Sequence, residues 1–286
     1  MNKKTCIIVS GPTAAGKTAF AIDLALQKNT QIISADSRQC FKELNIGVAK
    51  PSPEQLKKVK HYFINSHSIN EEVNAKIFEE YALKAVEEIF ENNDTAIMVG
   101  GTGLYIKAFS EGLDEIPFID TEIRKKINGE YHLKGLQWLQ DKIKKEDPLF
   151  FEMGEMQNPQ RMLRALEVKL STGKSIVEIQ SGKKIKRDFE IKNVLIDLPR
   201  PELYDNINRR VDQMMENGLL KEAESLLPHK NLNALQTVGY KELFDYFEGK
   251  ISLAEAVDLI KKNTRHYAKR QMTWFRKQVS NSNYEL

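Results

Sequence analysis

The sequence predicts an α/β fold, in which a parallel sheet is flanked by helices, plus an all-helical insertion. Two observations indicate this fold class. Apolar runs of strand length alternate with helical patterns over roughly the first 110 residues, which is typical of parallel sheets. Residues 117–190 break the alternation, because they are charged and contain no good strand run. We therefore expect a core built from residues 1–116 and 191–286, with a helical insertion at residues 117–190.

The first strand and the first helix enclose a glycine-rich loop. Residues 5–9 form an apolar strand, residues 16–28 form a helix, and G-P-T-A-A-G-K-T between them fits G-x-x-x-x-G-K-[ST]. Backbone N–H groups in such a loop surround phosphate oxygens, and the lysine adds a full positive charge. The motif predicts a P-loop-type core that binds a di- or triphosphate. Its predicted phosphate contacts are Gly11, Thr13, Ala14, Ala15, Gly16, Lys17 and Thr18. The Thr18 hydroxyl is also a candidate ligand for Mg²⁺.

The second predicted strand, residues 31–34, leads into a polar turn that begins at Asp36. Ligands gather at the carboxyl ends of parallel strands. A carboxylate there can hold Mg²⁺ through water, or it can accept a proton from a substrate. The alternative is an Asp that only caps the next segment. The polar side chains that follow it, Ser37, Arg38 and Gln39, favour a functional role.

The third predicted strand, residues 95–99, follows a long amphipathic helix at residues 74–92. It ends in G-G-T-G, where the glycines permit close approach of the backbone to a ligand. Thr102 in this segment can donate a hydrogen bond to a phosphate or a base. The alternative is a tight turn between a strand and a helix.

The predicted insertion consists of helices near residues 121–131, 135–145 and 159–171. In the last of these, Gln160 precedes Arg161, and Arg161 and Arg164 share a face because they are three residues apart. These side chains are candidates for contacts with nucleic acid. The alternative is a solvated basic edge.

After a predicted fourth strand at residues 194–197, the rest of the chain is helical. We expect helices at residues 201–217, 219–227, 238–247 and 253–278. Arg209 and Arg210 lie on the first of these, and one of them is well placed to reach a phosphate.

The last predicted helix carries the strongest basic pattern. Residues 261–277 contain seven Lys or Arg and no acidic residue, with aromatic side chains between them. Cations neutralise nucleic-acid phosphates, and exposed aromatic rings stack on unpaired bases. An amphipathic helix with buried aromatics and a solvated basic face explains the same pattern equally well.

Composition narrows the class of protein. The net charge of +3 means that any surface for nucleic acid is local. The apolar runs are too short for a transmembrane helix, and the early Gly-Pro argues against a signal peptide. Two cysteines without C-x-x-C spacing and five scattered histidines argue against disulfides and structural zinc. We expect a cytoplasmic protein.

Several segments in this order resemble the bacterial tRNA dimethylallyltransferase family. The matching segments are residues 11–18, 34–39, 46–47 with 49–51, 100–105, 158–161 with 164–167, 238–240 and 269–276, together with Arg210, Asp212, Met214 and Gly218. The D-S-x-Q element at Asp36 and the K-R-Q-x-T-W element at Lys269 are specific to this family when they occur together. The resemblance implies that the glycine loop binds the diphosphate of dimethylallyl diphosphate. It also implies prenyl transfer to the exocyclic amine of the adenosine at tRNA position 37, next to the anticodon.

The same resemblance implies individual roles. Asp36 falls on the general base of the family, and Lys17, Thr18 and Arg210 fall on its diphosphate side. Residues implied to contact tRNA are Asp36, Ser37, Arg38, Gln39, Thr102, Arg124, Gln160, Arg161, Arg164, Lys269, Arg270, Gln271, Trp274 and Arg276. We expect Mg²⁺, no organic cofactor and a monomer that binds the anticodon stem-loop through its helical insertion. A small-molecule or nucleoside kinase and a non-catalytic RNA-binding NTPase are the alternatives.

Overall fold

The computed structural model describes residues 3–117, 119–180 and 182–279, and the chain divides into two units. The larger unit, the core unit, contains the chain up to Gly112 and from Lys186 onward. The smaller one, the helical unit, spans Leu113–Ile185.

A parallel sheet lies at the centre of the core unit. Its order is β3-β2-β4-β1-β5, and every neighbouring pair of strands is parallel. With helices on both faces, this confirms the predicted fold class. The strands are β1 (Thr5–Ser10), β2 (Ile32–Ala35), β3 (His61–Tyr62), β4 (Thr95–Gly100) and β5 (Glu190–Leu195).

The register of the sheet brings several loops to one edge. Ser10 at the end of β1 lies opposite Gly100 of β4 and Leu195 of β5. Ala35 at the end of β2 lies opposite the same Gly100. Four strands therefore end level with one another. The glycine loop, the polar turn at Asp36 and the G-G-T-G segment all leave the sheet at this edge.

Alternation along β1 explains why both faces of the sheet are covered. Cys6 and Ile8 belong to the larger apolar cluster, whereas Val9 packs with Ala21 and Ile22 of α1 on the opposite side. The helices of the core unit are α1 (Lys17–Gln27), α2 (Pro53–Lys58), α3 (Ala75–Asn92), α4 (Gly103–Glu111), α9 (Arg200–Glu216), α10 (Leu219–Leu226), α11 (Tyr240–Phe247) and α12 (Leu253–Val279).

The helical unit has an apolar core of its own, which includes Ile127, Leu139 and Leu166. Its first helix is interrupted at Gly135, where φ is 76° and ψ is −168°. This break lies at the boundary between the two helices that the sequence predicted, near residues 121–131 and 135–145. The helices of the unit are α5 (Thr121–Glu146), α6 (Pro148–Met153), α7 (Pro159–Thr172) and α8 (Ile176–Ile179).

Two strand predictions were wrong in detail. The fourth predicted strand was placed at residues 194–197, whereas β5 spans Glu190–Leu195. The sequence prediction omitted β3, which is only two residues long. Both are edge strands, and an edge strand tolerates polar residues such as Lys192 because one side faces solvent. Within the described residues, no helix has the length and apolar character needed to span a bilayer.

Candidate active site

The glycine loop has a backbone that only particular residues permit. Gly11 has φ of 146°, and a Cβ at this position would lie 2.4 Å from the carbonyl oxygen of Ile196. Gly16, with φ of 86°, precedes α1, and no side chain in the described part of the chain caps that helix. The first N–H groups of α1 therefore remain available to an anion.

Lys17 directs its ammonium into the loop, where Nζ donates a hydrogen bond to the carbonyl oxygen of Pro12 at 2.5 Å. Although the residue as a whole is only half-buried, its ammonium is withdrawn from water. That burial, assisted by the positive charge of Arg210 and opposed by Asp36, lowers the pKa of Lys17 to about 7. A diphosphate bound beside Lys17 would favour the charged ammonium and raise this pKa again.

Asp36 organises the polar turn after β2. Its Oδ1 accepts hydrogen bonds from the backbone N–H of Arg38 at 2.9 Å and of Gln39 at 3.2 Å. Both bonds use the same oxygen, which leaves Oδ2 as the atom that can accept a proton. The two interpretations of Asp36 are thus compatible, because one oxygen caps the turn and the other is available for chemistry.

Arg210 and Gln271 connect the glycine loop to the rest of the core unit. Arg210 Nη1 donates to Thr13 Oγ1 at 3.2 Å, and burial lowers the pKa of the Arg210 guanidinium. Gln271 is 6% exposed; its Oε1 accepts from the Thr13 N–H at 2.8 Å. Its Nε2 donates to the Gly101 carbonyl at 2.9 Å. The Gln271 amide therefore bridges the loops that follow β1 and β4.

Thr102 joins the polar turn to the last helix. Its hydroxyl oxygen accepts a hydrogen bond from the Ser37 N–H at 3.1 Å. Tyr267 of α12 lies beside Thr102, and burial raises the pKa of Tyr267 to about 12. Sequence reasoning did not place Tyr267 at the site. Its position four residues before Gln271 on one helix was the available signal, since such residues share a face.

Two adjoining cavities lie at this edge of the sheet. The smaller, about 320 Å³, contains the glycine loop, and the larger, about 610 Å³, extends from Asp36 toward α11 and α12. The residues that line both cavities are Thr13, Asp36, Val48, Ala49, Arg210 and Tyr267. A carboxylate and a guanidinium thus stand where two ligands would meet.

On α12, exposed basic side chains lie next to aromatic side chains that are withdrawn from solvent. Lys269, Arg270 and Arg276 are exposed, although Arg276 pairs with Asp197 at 3.1 Å. Phe275, in contrast, is 2% exposed. Trp274 packs closely on α4, since a Cβ on Gly103 would lie 2.1 Å from its Nε1. The helix combines the buried Phe275 and the half-buried Trp274 with an exposed cationic face.

Within the helical unit, two predicted arginines converge on a single carboxylate. Arg124 Nε and Arg164 Nη1 lie 3.4 Å and 3.3 Å from Oε2 of Glu167, which is 6% exposed. Gln160 and Arg161 are exposed, and Arg161 pairs with Glu155. The arginines on α7 are therefore fixed in direction by acidic neighbours of their own unit.

Comparison with known proteins identifies the family. A family model described as IPP transferase matches residues 39–278, which is well over half of the chain. The chain belongs to the IPP transferase family. Its glycine loop and Asp36 precede the matched region.

Relatives of this chain carry the name tRNA dimethylallyltransferase. The protein of Christiangramia forsetii is 48% identical over 273 residues, with 95% of this chain and 90% of the relative covered. The protein of Flavobacterium johnsoniae is 46% identical over 280 residues, with coverages of 96% and 91%. The resemblance inferred from the motifs is confirmed, and these matches do not favour the kinase alternative.

Solved structures of the IPP transferase family share the fold. The tRNA isopentenylpyrophosphate transferase of Staphylococcus epidermidis is 32% identical with a TM-score of 0.69, covering 99% of this chain and 92% of that one. Crystallographic snapshots of a eukaryotic dimethylallyltransferase acting on tRNA give 26% identity and a TM-score of 0.75, with coverages of 95% and 69%. The P-loop-type core predicted from the glycine loop is thereby confirmed.

Proposed function

We propose that this chain transfers a dimethylallyl group from dimethylallyl diphosphate to the exocyclic amine of the adenosine at tRNA position 37, releasing diphosphate. Membership of the IPP transferase family and the names of its relatives support this activity. The observation that carries the proposal is the pair of side chains, Asp36 and Arg210, that lines both cavities. One cavity then takes the donor and the other takes the acceptor base.

The donor diphosphate lies in the smaller cavity. The N–H groups of the glycine loop, the ammonium of Lys17 and the guanidinium of Arg210 surround its oxygens. When the C1–O bond of the donor breaks, the electron pair leaves with the diphosphate and negative charge grows on the bridging oxygen. Cations already in place there stabilise the transition state, because they need no reorganisation.

The acceptor adenine lies in the larger cavity, next to Asp36. Its exocyclic nitrogen attacks C1 of the dimethylallyl group, and one proton of that amine passes to Oδ2 of Asp36. The lone pair of the amine is delocalised into the ring, so removal of the proton raises its reactivity. The base must leave its stack to enter the cavity, and this costs least in a single-stranded loop such as the one around the anticodon.

Mg²⁺ remains part of the proposal. No group of three or more His, Cys, Asp or Glu side chains in the described residues forms a metal cage. Mg²⁺ commonly binds through one or two protein oxygens together with substrate phosphates and water. Thr18 lines the donor cavity, and its hydroxyl suits that arrangement. There the ion would neutralise charge on the diphosphate.

For tRNA contact we propose the exposed cations on α7 and α12, namely Arg161, Lys269, Arg270 and Arg276, with Gln160 beside the first. Further proposed tRNA contacts are Ser37, Arg38, Thr102 and Trp274 in the core unit and, separately, Arg124 and Arg164 in the helical unit. Gln39 and Gln271 use their amides within the protein, so we assign them to positioning the site. A tRNA acceptor also supports a cytoplasmic location, and the monomeric state stays a prediction.

The test is to incubate the protein with unmodified tRNA and dimethylallyl diphosphate labelled in the prenyl group. We expect label to enter tRNA and diphosphate to be released in equal amounts. A tRNA that carries another base at position 37 is the matched control. Consumption of ATP without labelling of tRNA would refute the proposal and favour a kinase.

A further inference from the structure

The junction of the two cavities has a wall formed by an irregular segment, which we call the 45–49 loop. Val48 and Ala49 line both cavities, and Gly47 lines the larger one. Ala49 has a positive φ of 48°, which costs energy for a residue with a side chain. Such a backbone persists only where its surroundings fix it.

Glu222 at the start of α10 fixes one end of this loop. Its Oε2 accepts hydrogen bonds from the N–H groups of Asn45 at 3.2 Å and Ile46 at 2.9 Å. Its Oε1 accepts from the Gly47 N–H at 2.9 Å and from the hydroxyl of the buried Tyr240 at 2.7 Å. A Cβ on Gly47 would lie 2.6 Å from Cζ of Tyr240, so the backbone rests directly on this ring.

Gln39 fixes the other end of the loop. Its Nε2 donates to the carbonyl oxygens of Val48 at 3.2 Å and Ala49 at 3.1 Å. The N–H of the same residue donates to Asp36 Oδ1 at 3.2 Å. A continuous series of hydrogen bonds and backbone therefore runs from Glu222, through the 45–49 loop, to the carboxylate of Asp36.

We propose that Glu222 is a positioning residue for prenyl transfer, a role that rests on the function proposed above. Among the described residues, those that line the two cavities do not include Glu222. We therefore infer that Glu222 acts through the 45–49 loop. By fixing the N–H groups of residues 45–47, it sets where Val48 and Ala49 stand between donor and acceptor. The ligands still bind when this wall shifts, but their reacting atoms are no longer aligned beside Asp36.

The first measurement is the single-turnover rate of prenyl transfer with separate dissociation constants for donor and tRNA. We expect Glu222→Ala to lower the rate by about 100-fold, the cost of a misplacement of roughly 1 Å, with both dissociation constants within about threefold. Glu222→Gln, which keeps one accepting oxygen, and Tyr240→Phe, which removes only the hydroxyl donor, should show smaller losses. Glu224→Ala is the matched control, because Glu224 is exposed on the same helix.

Amide hydrogen exchange gives a second readout that does not depend on activity. Faster exchange at residues 45–47 in Glu222→Ala than in Glu224→Ala, together with the loss of rate, supports the role. An unchanged rate in a folded Glu222→Ala or Glu222→Gln protein would overturn it, as would a loss of affinity that accounts for the whole effect. If the wild-type protein fails to label tRNA, the proposed function itself is wrong. If the wild-type protein is active and the Glu222 variant is equally active, only the positioning role of Glu222 is wrong.

Discussion

Replacing Asp36 with Asn separates the capping of the polar turn, which the structure shows, from the proposed role of this side chain as the base. Oδ1 of Asp36 accepts two backbone hydrogen bonds, from Arg38 at 2.9 Å and Gln39 at 3.2 Å. An Asn retains an oxygen at this position, and Asn and Asp both form such turns. What Asn lacks is a second oxygen that can accept a proton. The substitution thus removes the base while it preserves the polar turn.

The expected size of the effect follows from these two tasks. Loss of a general base lowers a reaction rate by about 10²–10⁴-fold, and we expect Asp36→Asn to fall in this range. Asp36→Ala should show a similar loss of rate and also lose two hydrogen bonds, each contributing about 1 kcal/mol to the free energy of unfolding. In a protein of this size, losing both hydrogen bonds should lower the melting temperature by about 4–8 °C. For Asp36→Asn we expect a change of less than about 2 °C.

The assay is rapid-quench measurement of a single turnover, with labelled donor and saturating tRNA, beside thermal unfolding of each variant. The affinities for donor and tRNA should stay within about threefold of wild type, since Asp36 acts on the transition state. Asp245→Asn is the control, because Asp245 also lines the larger cavity but pairs with Lys250. Transfer by Asp36→Asn at more than a tenth of the wild-type rate would refute the assignment of Asp36 as the base.

Four further predictions concern the cations and the packing of the site. Because burial lowers the pKa of Lys17 to about 7, binding of the donor above that pH should take up a proton, and the affinity for the donor should fall about tenfold per pH unit. Calorimetry in buffers of different ionisation enthalpy measures the proton uptake. A donor affinity that does not change from about pH 6 to pH 9 would contradict this prediction. Arg210→Ala should lower the single-turnover rate by about 10²–10³-fold, and a loss confined to donor affinity would argue against transition-state stabilisation. Lys269→Ala should reduce the salt slope of tRNA binding by about one, whereas an unchanged slope would make that face of α12 structural. Gly103→Ala should cost about 1–3 kcal/mol of unfolding free energy, because its Cβ meets Trp274 at 2.1 Å; an unchanged melting curve would disprove this contact.

Local chemistry in the sequence was sufficient to predict the glycine loop and the placement of Asp36. The loop needs glycine at Gly11 and Gly16 because both have positive φ, and such a requirement is visible in the sequence as a motif. Apolar strands before both segments then placed them at one edge of a parallel sheet. No long-range information was needed for either conclusion.

Contacts between distant parts of the chain were not predictable in this way. Glu222 is one of many acidic residues on helices, and only its contact with the 45–49 loop distinguishes it. Gln271 matched a family motif, but its bridging of Thr13 and Gly101 depends on how α12 packs. The edge strand β5 was misplaced because its polar residues lack the apolar signal of a buried strand.

The bridge made by Gln271 has a consequence for synthesis of the protein. Thr13 is translated 258 residues before the side chain that supports it. At typical elongation rates of 5–20 residues per second, this interval lasts roughly 13–50 s. A nascent chain on the ribosome therefore carries a glycine loop without its partner, and the candidate site is completed only when α12 has emerged and docked. The final hydrogen bonds of the glycine loop therefore form only after α12 has been translated.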